Sequence, residues 1–173
     1  MLAMLVMSLA VALGLVGEGE DRVIGRSTDF HTSLIALSGS DFHGLQITVR
    51  NHRPCQVRAF FEDAPPRAAQ YCSGRVTRRH MADAGLARLG PGERVNGIAA
   101  CLAENERIGA VRLYAFSDEA VTARAGACMT EFRTVWCPRG WTVQGLQLYF
   151  DRPAGGLSHA SLVGLRPLCV QSA

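Results

Sequence analysis

The sequence contains no lysine: all eighteen of its basic residues are arginine. A chain that avoids one of two interchangeable surface cations throughout reflects a coding bias. The arginines then serve as ordinary surface charges, and the formal net charge of +3 does not by itself announce an anionic partner. The one dense basic run, Arg75, Arg78 and Arg79 followed by His80 in GRVTRRH, reads as a solvated loop. Nucleic acid is therefore not expected as a partner. Aromatics are scarce at 7%, with only two tryptophans, so each ring is worth locating. There is no C-x-x-C, no Cys/His zinc spacing, no H-E-x-x-H, no G-x-S-x-G elbow and no phosphate-binding glycine loop. Those absences remove the common metal, hydrolase and nucleotide sites, and no cofactor is expected.

A long apolar run occurs once, in MLAMLVMSLAVALGLVG at residues 1–17. Its length and the small residues Ala12 and Gly14 read as a signal peptide, although no arginine precedes the run. A retained anchor is the alternative. The glycines and acids from Gly17 to Asp21 stop the run short of the roughly 20 apolar residues that a span needs. The expectation is a mature chain of residues 18–173 with no membrane span, secreted or periplasmic, and long enough for a single domain with its own core.

What the sequence has in quantity is alternation. In GLQITVR, Leu45, Ile47 and Val49 face one way and Gln46, Thr48 and Arg50 the other; NHRP turns the chain, and Val57, Ala59 and Phe61 alternate on the return. The plan recurs with Ile98, Ala100 and Leu102, then Val111, Leu113 and Ala115. A third version has Leu146, Leu148 and Phe150, then Val163 and Leu165. Each hairpin starts on a glycine before an apolar residue, Gly44-Leu45, Gly97-Ile98 and Gly145-Leu146, roughly 50 residues apart, as in a repeated supersecondary unit.

Three hairpins, each apolar on one face, must bury those faces against one another. The expected fold is all-β: three antiparallel sheets around a common axis, with repeats near residues 30–75, 90–128 and 129–173. Outer strands are expected at 34–37, 121–123 and 134–136, and one short helix or wrapped loop at about 76–89, interrupted by Gly85. Six cysteines behind an export signal imply disulfides. Six cysteines allow fifteen connectivities; the repeat singles out one bridge per copy, Cys55 with Cys72, Cys101 with Cys128 and Cys137 with Cys169, as the expectation.

The last repeat carries a resemblance. Cys137-Pro138-Arg139-Gly140, then Gly145-Leu146, then Gly164-Leu165-Arg166 with Cys169, resembles a repeat of the vitelline membrane outer layer protein family. The second repeat matches it mainly in Gly109-Ala110-Val111-Arg112-Leu113. The resemblance implies a secreted β-prism of three such sheets. The family's acidic turn is replaced by Leu157-Ser158-His159, and its Trp-Gly strands are missing.

Chemistry-bearing residues are dispersed along the chain. His31, His43, His52, His80 and His159 show no pairing, and Glu62-Asp63, Glu104 with Glu106, and Asp118-Glu119 fall in expected turns. Cys72 and Cys128 cannot act as nucleophiles if all six cysteines are paired. Trp141 and Tyr149 are the candidate ligand-binding residues: rings beside Gln147 on an outer face would stack on a sugar. The competing role is packing, with Trp136 and Trp141 flanking the Cys137 bridge. The expected function is a secreted non-catalytic binding or structural module, carbohydrate-directed, with a glycan or an envelope or extracellular protein as partner. The alternatives are a small secreted hydrolase or glycan-transferring enzyme using loop carboxylates, and an envelope or host-directed protein-interaction module.

Overall fold

The computed structural model describes residues 22–37, 39–79, 84–152 and 159–172. The expected signal peptide at 1–17 lies outside these residues, as do His80, Met81, Leu157 and Ser158. Twelve strands are described: β1 (Ile24–Gly25), β2 (His31–Ile35), β3 (Phe42–Arg50), β4 (Arg53–Phe61), β5 (Arg67–Gln70), β6 (Gly85–Arg88), β7 (Val95–Leu102), β8 (Ile108–Ala115), β9 (Ala120–Arg124), β10 (Arg133–Trp136), β11 (Trp141–Phe150) and β12 (Leu162–Gln171). They form three four-stranded antiparallel sheets, ordered β6-β3-β4-β5, β10-β7-β8-β9 and β2-β11-β12-β1. This is an all-β, disulfide-braced β-prism with pseudo-threefold repetition.

The repetition extends to the irregularities. In the leading strand of each hairpin one extra residue, His43, Asn96 or Gln144, bulges just before the repeat glycine. In each return strand a second bulge falls at the same offset, at Cys55, Gly109 and Val163. Because a bulge reverses which face a side chain takes, matching bulges keep all three apolar faces in phase. Leu45, Ile47, Val57, Ile98, Val111, Leu113, Leu146, Leu148 and Leu165 meet in one continuous core. Val163, expected to point inward beside Leu165, is itself the bulged residue; Leu162 takes the core position instead.

All six cysteines are bridged in the expected pairs, Cys55–Cys72, Cys101–Cys128 and Cys137–Cys169. Closing loops of 17, 27 and 32 residues restricts the unfolded chain by about 3 kcal/mol each in the chain-entropy account.

Two expectations fail. The sheets do not follow the repeat boundaries: β2 pairs with β11 and β1 with β12, so the strands from His31 and Ile24 belong to the third sheet rather than the first. The first two hairpins take their outer strands from the chain that follows them, whereas the third takes both from the chain's beginning. The helix expected at about 76–89 is also overturned in its last part, where Gly85–Arg88 is a strand paired with β3. Its four residues alternate, Leu86 52% exposed and Ala87 1%, a period-2 signal too short to stand out beside the helix-favouring MADAG. Gly85 is required there because a Cβ would lie 2.0 Å from the Arg124 carbonyl oxygen of β9.

Candidate functional site

Trp141 and Tyr149, the residues singled out from the sequence, stand at opposite ends of β11, eight positions or about 26 Å apart at strand rise. The bulge at Gln144 also divides them by face. Val143 and Leu146 both enter the core, so Trp141 shares the inward side of Val143 while Tyr149 lies outward with Gln147. Trp141 is half-buried. Tyr149 is only 6% exposed: its ring lies 5.8 Å from that of His31 and its hydroxyl donates to Gln147 Oε1 at 3.3 Å. The structure does not bring these two rings together.

A different pair of rings shares one surface. β10 places Trp136 opposite Gly97 of β7, and Gly97 is opposite Tyr114 of β8, so the three form a single row across the outer face of the second sheet. A Cβ on Gly97 would lie 2.2 Å from the indole Cε3, which means that Trp136 lies across the glycine backbone. The Trp136 and Tyr114 centroids are 4.9 Å apart with 39° between the planes, and Trp136 remains 53% exposed. One row along the same face, Arg112 donates from Nε to Thr122 Oγ1 at 3.2 Å and sets its guanidinium 4.3 Å from the Phe132 ring centroid. The result is a flat aromatic surface edged by one cation and by hydroxyls.

The equivalent glycines carry other covers. Over Gly44 lies Arg88, whose Nε donates to His43 Nε2 at 2.8 Å and whose guanidinium sits 5.4 Å from the Phe60 centroid. Burial first, and the Arg88 charge second, hold His43 below the usual imidazole value, against weaker opposition from Glu62 and the Asp41 backbone. With Nε2 accepting from Arg88, the ring proton of the neutral form resides on Nδ1. Over Gly145 lies Ile35.

The opposite end of the prism gathers the hairpin turns. Asn51 and His52 both have positive φ (51° and 59°), as a two-residue hairpin requires. Cavities open beside the first turn: about 260 Å³ between it and His159, and about 240 Å³ between it and the second turn. Half-buried Val49 lines the second of these.

The carboxylate pairs divide between the two ends of the prism. Glu62-Asp63 and Asp118-Glu119 follow the ends of β4 and β8, while Glu104 and Glu106 lie in the β7–β8 turn at the other end. Glu62 accepts from the Gly92 amide and Glu106 pairs with Arg26 at 3.9 Å. Among the described residues no three His, Cys, Asp or Glu side chains cluster to hold a metal. Arg75, Arg78 and Arg79 are exposed, and no described helix is long and apolar enough to cross a membrane.

No protein-family model and no curated protein sequence matches the chain. Solved structures do resemble it. The prostate-specific WGA16 glycoprotein lectin superposes with a TM-score of 0.58 at 11% identity, over 86% of this chain and 99% of that one. Calystegia sepium agglutinin gives 0.59 at 10% identity, over 86% and 93%, and Malaysian banana lectin 0.52 at 10%, over 84% and 94%. These are lectins rather than vitelline membrane outer layer proteins. At such identities the likeness establishes the shared β-prism fold.

Proposed function

We propose that this protein is a secreted, non-catalytic carbohydrate-binding module that seats a sugar ring on the Trp136–Tyr114 platform. The carrying observation is the indole held across Gly97 with half its surface open to solvent. The C–H face of a pyranose is flat and apolar, its rim is hydroxylated, and an aromatic face with polar neighbours complements both. Arg112 and Thr134, one row along from the rings, supply donors for ring hydroxyls. A fold does not confer a function by itself. The lectin neighbours support the reading only because the platform stands on the same framework. Three disulfides suit an oxidising compartment outside the cytosol, as the signal-like residues 1–17 imply.

A glycan array followed by titration of the strongest sugar tests this. Trp136→Ala is expected to weaken binding at least tenfold, while Trp141→Ala, half-buried on the inward side of a different sheet, leaves it unchanged. An array flat across all sugars, or a bound sugar indifferent to Trp136→Ala, refutes the platform.

A further inference from the structure

Arg50 and Arg53 flank the two-residue turn of the first hairpin and face each other directly in register. Like charges in that position repel and destabilise a hairpin, and the strand pairing itself has no need of them. Each guanidinium is held by a main-chain carbonyl: Arg53 Nη1 donates to His159 O at 2.6 Å, and Arg50 Nη1 to Arg75 O at 3.1 Å. These bonds orient the groups without neutralising them. The ion pairs among the described residues are Arg26–Glu106, Arg94–Asp41 and Arg152–Asp29, so neither arginine has a carboxylate partner there. Between them and His159 lies the cavity of about 260 Å³, lined also by Asn51, Tyr71 and Ser73, with no acid among its described lining residues. Asp151, at the end of β11, accepts from the Ser161 amide.

We infer that this cavity is a binding site for the anionic group of an acidic saccharide, a uronate carboxylate or a sulfate ester. An oxyanion placed between two oriented guanidiniums relieves their repulsion and accepts their remaining N–H donors in the bidentate geometry that arginine favours. Tyr71 is fixed edge-on between Phe30, at 4.9 Å, and Phe150, at 4.7 Å, and gives the cavity a rigid aromatic wall. Asn51 and Ser73 offer uncharged partners for hydroxyls. The volume falls below the roughly 300–1,000 Å³ of drug-sized sites, which suits one charged ring rather than a long stretch of polymer. The site stands apart from Trp136, since Gly97 is near the start of β7 and the turns gather at the strands' other ends.

The test is titration of the oxidised full chain with three oligosaccharides of equal length: a uronate, a sulfated sugar and a neutral one. At least tenfold tighter binding of either charged sugar is expected, weakening with added salt, and the tighter of the two names the source of the charge. Arg50→Gln is expected to abolish that preference. Arg53→Lys, which keeps the charge but loses the fork that spans to His159, is expected to reduce it severalfold. Melting curves for both variants establish that they fold, and Trp136→Ala separates this site from the platform by leaving the preference intact. Equal affinity for charged and neutral sugars, or a preference unaltered in a folded Arg50→Gln protein, overturns the inference.

Discussion

The row over Gly97 and the row over Gly44 are built on the same backbone, yet they do different things. In both, a glycine in the leading strand of a hairpin lies beneath an outer-strand side chain that reaches toward an aromatic ring on the return strand. Over Gly44 the cover is a cation, Arg88, turned toward Phe60 and bonded to the buried His43. Over Gly97 it is an indole beside Tyr114. Over Gly145 the row is aliphatic, Ile35 and Leu168. What the fold demands is the missing Cβ and some cover above it. The chemistry of that cover is free to vary, and only in the second sheet does it leave an aromatic face in water.

The sharpest way to break this equivalence is at the glycines. At Gly145 an added Cβ meets the Leu34 carbonyl oxygen at 2.2 Å, and a main-chain atom inside a sheet has nowhere to go. Gly145→Ala is expected to cost about 3 kcal/mol, the upper part of the overpacking range, read as a fall in midpoint in denaturant unfolding; a change below about 0.5 kcal/mol, the level of an ordinary surface substitution, contradicts it. Gly97→Ala is expected to cost about 1 kcal/mol, at the low end of that range, because the atom it meets at 2.2 Å belongs to an exposed indole that can swing away. Its signature is a red shift in tryptophan fluorescence together with weakened sugar binding, and intact binding at wild-type fluorescence counts against the platform.

The smallest effect is a matter of pH. His43 is held below its ordinary value of 6.5, so the folded state binds fewer protons than the unfolded state just beneath that value. Stability is complete above the ordinary imidazole range and is lost as pH falls through the window down to the folded value. Arg88→Leu removes the second cause of the shift and leaves burial, which raises His43 partway and narrows the window. Unfolding free energies at pH 7 and pH 5 should differ less in this variant than in the parent chain, whereas Trp136→Ala leaves that difference unaltered. An unchanged slope in Arg88→Leu means that the cation is not coupled to the histidine.

The hairpins were legible because each is a run of alternating residues long enough to show period two, and because Gly44, Gly97 and Gly145 mark the same point three times. The short strands were less so. β9 and β10 fall close to the expected outer strands at 121–123 and 134–136, but β6, four residues beside a helix-favouring run, was hidden. The bulges at His43, Asn96 and Gln144 left no sequence signal beyond the glycine that follows each. Counting alternation straight through Gln144 put Trp141 and Tyr149 on one face, and a single extra residue separated them. Trp136, weighed only as packing for the Cys137 bridge, turned out to be an exposed ring.

Sequence alone determined the three-sheet plan and the shared apolar interior, since these depend on local periodicity and on repetition along the chain, and the repeat singled out one of fifteen cysteine pairings that the structure then realised. Tertiary structure decided which strand lies beside which glycine, that the two ends of the described chain complete one sheet, and that Arg50, Arg53 and His159 meet around one cavity. Those outcomes depend on contacts between residues up to 141 positions apart, as between Ile24 and Leu165. No local pattern encodes such a meeting, because it is settled by how the three sheets close on their common core.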